Sequence, residues 1–462
     1  MKPVNKNIFR AYDIRGVVDR DLDTQWVEEL GRACGTFFQQ RGHSRAVVGH
    51  DCRFSSPAYQ AAMVRGLLET GMDVTFLNMV GTPLFYYAVR TLGLGAGVMI
   101  TASHNPPEFN GFKIWEGPGT IHTDDIQSVY DIMARKAFNS GRGIASELNI
   151  EPAYLEELSA QTTLTRPVKV VVDGGNGAGG LTCVKLLERI GATVIPLYCE
   201  PDGGFPNHHP DPTVEENNRD LRRAVLTHGA DLGVGLDGDA DRIGVIDSEG
   251  KTIFGDQLLA IFSRDMLPQR PGATVIGEVK CSHLLFDDIR DHGGTPIMWK
   301  TGHSLIKARM QEANALLAGE MSGHMFFADR FYGFDDAIYA AQRIVEIAGN
   351  PDTPPLGRIL SDWPRTFNTP ELRMNCPEEI KFRIVARAQD HFRDGYDMND
   401  IDGVRLTFAD GWALLRASNT QPVLVLRFEA ESEQRLAEIR AEVETPLAEW
   451  IREFSASEEG EG

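Results

Sequence analysis

The sequence predicts an α/β protein in which three similar α/β domains and a smaller α+β C-terminal domain surround a central cleft. Three observations carry this prediction. Apolar strand-like runs alternate with helical stretches along the chain. One pattern of strands and polar loops occurs three times. After a proline-rich stretch the pattern changes to a hairpin, a further strand and a helix. The length of 462 residues allows about three or four domains.

The repeated pattern predicts where the cleft lies. In each copy a glycine ends a helix, a strand follows, and a second strand further on leads into a polar loop. The copies run from Gly71 into Gly95, from Gly191 into Gly229, and from Gly293 into Asn314. Because ligands bind at the carboxyl ends of strands in open α/β sheets, we expect the three loops to face one site. These loops lie at Ser103, 237–241 and 320–324.

The last part of the chain has a different pattern. The stretch from Asn350 is rich in proline and turn residues and is typical of a linker. Strands at 403–408, 412–415 and 423–428 then precede an acidic amphipathic helix at 431–454. The expected domains are 1–150, 151–253, 254–365 and 366–455, followed by a disordered tail at 456–462.

Composition and charge exclude several classes of protein. Asp and Glu number 66 against 46 Lys and Arg, and the formal charge of −20 repels the phosphate backbone of nucleic acids. The first residues lack the apolar core of a signal peptide, and no run approaches the length of a membrane span. Six scattered cysteines without a CxxC pair predict reduced thiols and no zinc site. We therefore expect a cytoplasmic protein that binds small molecules, with no nucleic-acid or membrane partner.

The strongest single motif is an acidic loop. Asp237, Asp239 and Asp241 follow an apolar strand, and alternate residues of an extended chain project to one side. Three close carboxylates repel one another unless a cation lies among them. Oxygen ligands in this number suit Mg²⁺, whereas Arg242 and Ser248 break the template of a calcium-binding EF-hand. A solvated acidic turn is the alternative.

Three further loops carry polar side chains after strands. Ser103 precedes a Pro-Pro turn at a strand end, a place suited to a nucleophile or phosphate carrier. Glu320, Ser322 and His324 lie between glycines and could hold sugar hydroxyls by paired hydrogen bonds. The last loop offers a phosphate group the side chains of Arg416, Ser418, Asn419 and Thr420. For each loop an ordinary polar turn is the alternative.

A glycine-rich stretch allows a different interpretation. Gly175, Gly177 and Gly180 follow a strand and match the dinucleotide-binding fingerprint, and Glu200 lies where a ribose-binding acid is expected. Glycine-rich turns are also common for packing reasons alone. A nicotinamide-dependent oxidoreductase is therefore kept as an alternative.

Taken in order along the whole chain, the motifs resemble those of the α-D-phosphohexomutase superfamily, and most closely its bacterial phosphomannomutase/phosphoglucomutase branch. The motifs that carry the resemblance are YDIRG at 12–16, TASHNPP at 101–107, DGDADR at 237–242, WKTGHS at 299–304, GEMSGH at 319–324 and RASNTQP at 416–422. Ala240 stands where close relatives have glycine, a departure that lies between the acidic residues and leaves their chemistry intact. The resemblance implies four domains around a deep cleft.

The resemblance also implies a role for each of these residues. Catalysis would involve Ser103 as the phosphoserine, with Lys113, Arg15, His303 and Arg242. Mg²⁺ would bind to Ser103, Asp237, Asp239 and Asp241. Substrate would contact Tyr12, Glu320, Ser322, His324, Arg416, Ser418, Asn419 and Thr420. Among these, Glu320 and Ser322 would bind the sugar O3 and O4 hydroxyls, and the last four residues would hold the phosphate that is not transferred. Lys113 is the expected general acid or base, with His303 as the other candidate.

The implied activity is reversible phosphoryl transfer between C1 and C6 of glucose and mannose phosphates, through a phosphoserine and a hexose 1,6-bisphosphate. Glucose 1,6-bisphosphate is the expected activator, and a monomer is the expected state. Three alternatives stay open. A haloacid-dehalogenase-like phosphatase would use Asp237 as nucleophile and Asp239 as acid, with Asp335 and Asp336 holding the metal. The others are a phosphoglucosamine-type mutase and a non-catalytic sugar-phosphate-binding protein.

Overall fold

The structure is a computed structural model that describes residues 4–418 and 421–459. Its backbone forms four β-sheets that follow one another along the chain, with helices between the strands. Two short 3₁₀ helices lie at Lys6–Ile8 and Leu356–Arg358. Within the described residues, no helix has the length and apolar character that a membrane crossing requires.

The first sheet has seven strands. They are β1 (Ile14–Val17), β2 (Arg45–His50), β3 (Asp73–Met79), β4 (Ala96–Ile100), β5 (Phe109–Glu116), β6 (Gly119–Thr120) and β7 (Ala145–Glu147). Their order is β1-β5-β4-β2-β3-β7, with β6 paired to β5. The helices of this region are α1 (Thr24–Gln40), α2 (Ser56–Glu69), α3 (Thr82–Thr91) and α4 (Asp124–Arg135).

The second and third sheets are smaller. The second has the order β12-β11-β10-β8-β9. Its elements are α5 (Glu151–Ser159), β8 (Lys169–Asp173), α6 (Gly180–Arg189), β9 (Thr193–Leu197), α7 (Arg219–His228), β10 (Leu232–Leu236), β11 (Ile243–Asp247) and β12 (Thr252–Ile253). The third has the order β14-β13-β15-β16. Its elements are α8 (Gly255–Met266), β13 (Thr274–Glu278), α9 (His283–Asp291), β14 (Thr295–Trp299), α10 (His303–Ala313), β15 (Leu317–Gly319), β16 (Met325–Phe327) and α11 (Ala337–Ala348).

The fourth sheet is antiparallel and contains six strands. Its order is β17-β22-β21-β20-β19, with β18 paired to β22. Its elements are β17 (Phe367–Asn368), β18 (Leu372–Asn375), α12 (Glu378–Phe392), β19 (Asp397–Asn399), β20 (Val404–Phe408), β21 (Gly411–Ala417), β22 (Val423–Ala430) and α13 (Glu433–Glu459).

The first three sheets share one four-stranded core. A first strand lies between a second and a third that run parallel to it, and a fourth strand is antiparallel to the third. These strands are β2 to β5, β8 to β11 and β13 to β16. In every case the polar loop lies between the third and fourth strands. The three similar α/β domains and the smaller α+β domain expected from the sequence are therefore confirmed.

One apolar core runs through the first three domains. Tyr86 of α3 packs against Trp115 of β5 and against Phe334 of the third domain, with ring centroids 5.0 and 5.5 Å away. The fourth domain has its own core, formed by its sheet with α12 and α13. A small cluster that includes Val279 and Trp412 joins the third and fourth domains. The first three domains thus form one packed body, to which the fourth is attached by a smaller surface.

Two segments differ from the sequence-based expectation. The expected linker is partly docked, because Leu356 is buried and the indole nitrogen of Trp363 donates to Oδ1 of Asp288 at 2.9 Å. Helix α13 continues to residue 459, so positions 456–459 of the expected disordered tail are helical. Alanine and glutamate at these positions favour a helix. Residues 460–462 lie outside the described residues.

Candidate active site

Ser103 lies after β4, in the polar loop of the first domain. Its backbone is in the left-handed region, with φ 50°, and the residue is 1 % exposed. The hydroxyl donates to Oδ2 of Asp237 at 2.7 Å and lies 3.1 Å from Nδ1 of His104, and the amide donates to Oγ1 of Thr101 at 2.9 Å. A residue other than glycine keeps this conformation only when its surroundings fix it. The loop therefore presents its hydroxyl to the acidic loop of the second domain.

A buried arginine fixes the Ser103 loop. Arg53 donates to the carbonyl oxygens of four residues in or next to this loop, at 2.6 to 3.0 Å: Ser103, Asn105, Pro106 and Phe109. Its own charge is balanced by Asp51, whose Oδ2 lies 3.1 Å from Nε. Neither residue belongs to the motifs selected from the sequence. Together they explain how Ser103 is held in its unusual backbone conformation.

The acidic loop after β10 is completely buried. One carboxylate oxygen from each of Asp237, Asp239 and Asp241 lies within 4.8 Å of the others. Burial, followed by the charges of Asp239 and Asp241, raises the pKa of Asp237 well above its usual range. Over the described part of the chain, Oδ1 of Asp239 and Oδ1 of Asp241 are buried without a hydrogen-bond partner. These oxygens, with the Ser103 hydroxyl beside them, fit a hard divalent cation such as Mg²⁺.

The glycine-rich stretch packs against this acidic loop. A Cβ at Gly177 would lie 2.7 Å from the carbonyl oxygen of Gly238, and one at Gly179 would lie 2.3 Å from Cβ of Ala240. The amide of Ala178 donates to the same Gly238 carbonyl at 3.0 Å. The acidic loop therefore fills the space that a dinucleotide pyrophosphate would need. The glycines serve packing, and the oxidoreductase alternative loses its main support.

Two cations border the acidic loop on the first-domain side. Nζ of Lys113 on β5 donates to Oδ2 of Asp239 at 2.7 Å and also contacts Asp241. Burial lowers the pKa of Lys113, but the two carboxylates outweigh burial and raise it, so the side chain is an ammonium. Nη1 of Arg15 donates to Oδ1 of Asn105, two residues beyond Ser103. Both cations can neutralise charge on a phosphoryl group at Ser103.

Two histidines and Tyr12 pack together next to the acidic loop. Nε2 of His324 accepts from Nε of Arg242 at 2.9 Å, and Nδ1 of His324 lies 3.1 Å from Oδ2 of Asp335. The ring of His303 stacks on His324 with centroids 5.3 Å apart, and Tyr12 meets His303 edge-on at 5.6 Å. Burial, followed by a neighbouring lysine, lowers the pKa of His303 well below its usual range. His303 is therefore a neutral imidazole.

The two acids after β16 have separate roles. Oδ1 of Asp335 accepts from Nζ of Lys307 at 2.7 Å, and one oxygen of Asp335 groups with Asp241 and His324 within 4.8 Å. Asp336 instead begins α11, where its Oδ1 accepts from the amide of Tyr339 at 2.8 Å. Asp336 is thus engaged by the helix. The two acids do not form the metal-holding pair that the phosphatase alternative requires.

Glu320 and Ser322 occupy the loop after β15. Oε1 of Glu320 accepts from the amide of Gly302 at 2.6 Å, and Oε2 accepts from the hydroxyl of Ser322 at 3.3 Å. These bonds connect the loops after β14 and β15 at the carboxyl edge of the third sheet. A carboxylate next to a hydroxyl offers both acceptors and a donor to a sugar diol.

The polar loop of the fourth domain begins at the end of β21. Nε of Arg416 donates to Oδ2 of Asp402 at 3.0 Å, and the same oxygen accepts from the amide of Thr301 at 3.0 Å. Arg416 is therefore connected to the third domain. The carbonyl oxygen of Ser418 accepts from Nζ of Lys381 at 2.6 Å. The two remaining residues expected in this loop, Asn419 and Thr420, lie outside the described residues.

The sequence of the chain matches known protein-family models in all four domains. Models of phosphoglucomutase/phosphomannomutase alpha/beta/alpha domains I, II and III match residues 6–140, 152–250 and 254–366, and the C-terminal domain model matches 371–445. The chain belongs to the phosphoglucomutase/phosphomannomutase family.

Similar proteins are found across the full length of this mutase family member. A phosphomannomutase/phosphoglucomutase of Pseudomonas aeruginosa is 45 % identical over 94 % of each chain. A phosphoglucomutase of Neisseria gonorrhoeae is 41 % identical over 95 % of this chain and 96 % of its own. The crystal structure of a family protein from Burkholderia thailandensis superposes with a TM-score of 0.90 at 39 % identity, over 96 % of this chain and 98 % of its own.

In this phosphoglucomutase/phosphomannomutase family member, sequence analysis missed several charged residues next to the cleft. They are Arg53, Lys307 and Lys280, the last of which is 7 % exposed and has its Nζ 3.1 Å from Oε2 of Glu371. Arg53 and Lys280 each lie two residues after an acid at a strand end, Asp51 and Glu278, and this spacing is visible in the sequence.

Proposed function

We propose that the protein is a phosphohexomutase that interconverts the 1- and 6-phosphates of glucose and mannose through phospho-Ser103 and a hexose 1,6-bisphosphate. One observation carries the proposal. The Ser103 hydroxyl lies 2.7 Å from Asp237 in a buried loop of three carboxylates, with Lys113 and Arg15 beside it. A serine in this setting is suited to carry a phosphoryl group, because the surrounding cations offset its charge.

The residues that would hold Mg²⁺ are Asp237, Asp239, Asp241 and the Ser103 oxygen. When bound, the ion supplies positive charge to the equatorial oxygens of the phosphoryl group. The protein supplies the other cations, from Lys113, Arg15 and Arg242. We propose Lys113 as the group that returns a proton to the Ser103 oxygen, because its ammonium lies among the carboxylates around that oxygen. His303, which is neutral and close to Tyr12, is the alternative on the sugar side.

The cycle needs two binding orientations of one sugar. In the first, the P–O bond of phospho-Ser103 breaks and the O6 oxygen of the 1-phosphate takes the phosphoryl group. Lys113 protonates the Ser103 oxygen, and the proton that leaves O6 restores the ammonium of Lys113. The bisphosphate then turns, the bond between its C1 oxygen and phosphorus breaks, the Ser103 oxygen takes this phosphoryl group, and the Ser103 proton passes to the C1 oxygen. Glu320 and Ser322 bind the O3 and O4 hydroxyls in either orientation, and the loop at 416–420 holds the phosphate that is not transferred. Glucose and mannose share these hydroxyls and differ at C2, which accounts for dual specificity.

The remaining proposals concern the activator, the oligomeric state and the location of the protein. Glucose 1,6-bisphosphate rephosphorylates Ser103 when the intermediate escapes, so we propose it as activator. A cytoplasmic location is proposed from the sequence and a monomer from the resemblance to the family. Light scattering coupled to size-exclusion chromatography would measure the mass of the protein against the 51.1 kDa of one chain.

Phosphorus NMR tests the function directly. Mannose 1-phosphate and glucose 1-phosphate are each incubated with enzyme, Mg²⁺ and a trace of glucose 1,6-bisphosphate. We expect the wild type to form the 6-phosphate without free phosphate, and Ser103→Ala to lose at least about 1000-fold in rate. Ser128→Ala changes a serine whose hydroxyl donates to the carbonyl oxygen of Asp124 in the same helix, α4, and is the matched control.

Two other outcomes would contradict the proposal. Free phosphate released by the Ser103→Ala variant would indicate the Asp-nucleophile phosphatase. Absence of reaction with both sugars, together with turnover of glucosamine phosphates, would indicate the phosphoglucosamine-type mutase.

A further inference from the structure

Glu278 connects three loops at the edge of the third sheet. It is the last residue of β13 and is fully buried. Its carboxylate accepts from the amide of Lys280 at 2.9 Å, the hydroxyl of Thr301 at 2.7 Å and the amide of Met321 at 3.2 Å. These donors follow β13, β14 and β15, respectively. One carboxylate therefore joins all the loops that leave the carboxyl ends of the parallel strands.

One of these loops carries the proposed sugar-binding residues, and a second holds one of them in place. Thr301 precedes Gly302, whose amide binds Glu320, and Met321 lies between Glu320 and Ser322. A binding site works only when its groups are held to within about 0.5 Å, which depends on the residues behind them. Glu278 lies directly behind both loops, although it has no proposed contact with the sugar.

An acid occupies the same place in the other two α/β domains. Asp51 follows β2 and accepts from the amide of Arg53 at 3.0 Å. Asp173 ends β8 and accepts from the amide of Gly175 at 2.9 Å. In each domain the acid ends or directly follows the first strand of the four-stranded core, and it accepts from the amide two residues later. In the first domain this arrangement positions Arg53, which in turn holds the Ser103 loop. Because this acid recurs in all three domains, it indicates a common way of positioning the loops at the cleft.

We propose that Glu278 is a positioning residue that sets the geometry of the sugar-binding loops. The kinetic effect that we expect from a change of Glu278 rests on the proposed mutase function, whereas the effect of Glu278 on the geometry of the loops does not. Removal of a buried charged acceptor leaves its donors unsatisfied, so the loops lose their common anchor. The three donors all belong to the third domain, so phosphoryl chemistry at Ser103 should be spared.

Steady-state kinetics test the proposal with Glu278→Gln. We expect KM for glucose 1-phosphate and for mannose 1-phosphate to rise about tenfold, and kcat to change less than about threefold. Hydrolysis of phospho-Ser103 by water, which needs no sugar, should stay within about twofold. Thr301→Val removes one of the three bonds and should raise KM about threefold, even if the glutamine variant fails to fold.

Asp329→Asn is the matched control. Asp329 is an acid of the same domain whose side chain is 6 % exposed and accepts from Nη1 of Arg343 at 3.0 Å, but it follows β16 at the opposite edge of the sheet. We expect this variant to lose stability and to keep the wild-type KM. An equal rise in KM in this control, or an unchanged KM in folded Glu278→Gln, would overturn the positioning role.

Hydrogen exchange provides a readout that needs no substrate. In the ligand-free protein we expect the amides at 301–302 and 320–322 to exchange at least about tenfold faster in Glu278→Gln, and at the wild-type rate in Asp329→Asn. If the wild type converts neither sugar phosphate, the proposed function fails, and exchange alone decides the role of Glu278. Unchanged exchange in these segments would contradict that role.

Discussion

At the scale of single residues, the site depends on buried charges that are held by defined partners. Ser103 keeps a left-handed backbone because Arg53 binds four carbonyl oxygens around it. Arg53 in turn is held by Asp51, in the strand-end position that Glu278 occupies in the third domain. The reactive group and its support are therefore separate residues, and only the first is recognisable by its chemistry.

Arg53→Lys tests this support. Lysine keeps the charge beside Asp51, but one ammonium cannot reach four carbonyl oxygens. We expect kcat to fall about tenfold or more while KM changes less than about threefold, and unfolding free energy to fall by about 3 kcal/mol. Steady-state kinetics measure kcat and KM, and chemical denaturation measures the unfolding free energy. The control is Arg65→Lys, at an exposed arginine on α2, and its unfolding free energy should stay within about 0.5 kcal/mol of the wild-type value. Full kcat in the Arg53 variant would show that the loop holds itself.

The residues that sequence analysis found and those it missed differ in a physical way. Asp237, Asp239 and Ser103 lie in short polar loops whose chemistry is visible locally. Lys280 and Arg53 act through partners distant in sequence, at 91 and about 50 positions, and such pairs exist only once the sheets are formed. One amino-acid sequence taken alone does not show which distant residues come into contact. The motifs selected the proposed reacting groups, and the fold shows which residues anchor them.

At the scale of elements, the glycine-rich turn before α6 shows how one pattern serves two purposes. A glycine in a sequence shows only that a side chain is absent, and not which group occupies the space. In a dinucleotide-binding fold a phosphate fills the space, whereas here the acidic loop fills it, with Gly177 and Gly179 against Gly238 and Ala240. The alternation of strands and loops, by contrast, predicted the threefold repeat correctly, because hydrophobic periodicity directly reflects which faces are buried.

Gly179→Ala tests whether this turn supports the metal-binding loop. The new Cβ would lie 2.3 Å from Cβ of Ala240, between two proposed metal ligands. We expect a loss of about 1–3 kcal/mol from overpacking. The Mg²⁺ concentration for half-maximal activity should rise about tenfold. Titration of activity with Mg²⁺ measures it. Gly395→Ala, where a Cβ meets nothing within 4 Å, is the control. Unchanged Mg²⁺ dependence would mean that the acidic loop is held without the turn.

At the scale of the whole molecule, the four domains form two bodies. The first three share one apolar core, whereas the fourth has its own and meets the third through polar contacts and one small apolar cluster. Oγ of Ser282 donates to Oε1 of Glu429 at 2.7 Å, and Lys280 pairs with Glu371 at 3.1 Å. A polar junction of this kind permits movement more readily than a continuous core. It therefore suits the proposed function, in which the polar loop of the fourth domain would engage and release the substrate.

Glu371→Gln tests the strength of this junction through its pH dependence. The charge of Lys280 lowers the pKa of Glu371 to about 2 against the opposing effect of burial, below the usual value of about 4.3. The pair therefore adds stability above about pH 4.3 and loses it as the pH falls towards 2. At pH 6 we expect the variant to be less stable by about 2 kcal/mol, and the difference to shrink as the pH falls to 3.5. Denaturant unfolding across this range measures it. Glu453→Gln removes an exposed acid paired with Arg387 and should show a small difference at every pH. A difference between wild type and Glu371→Gln that stays constant with pH would mean that the carboxylate anchors the fourth domain through packing and not through its charge.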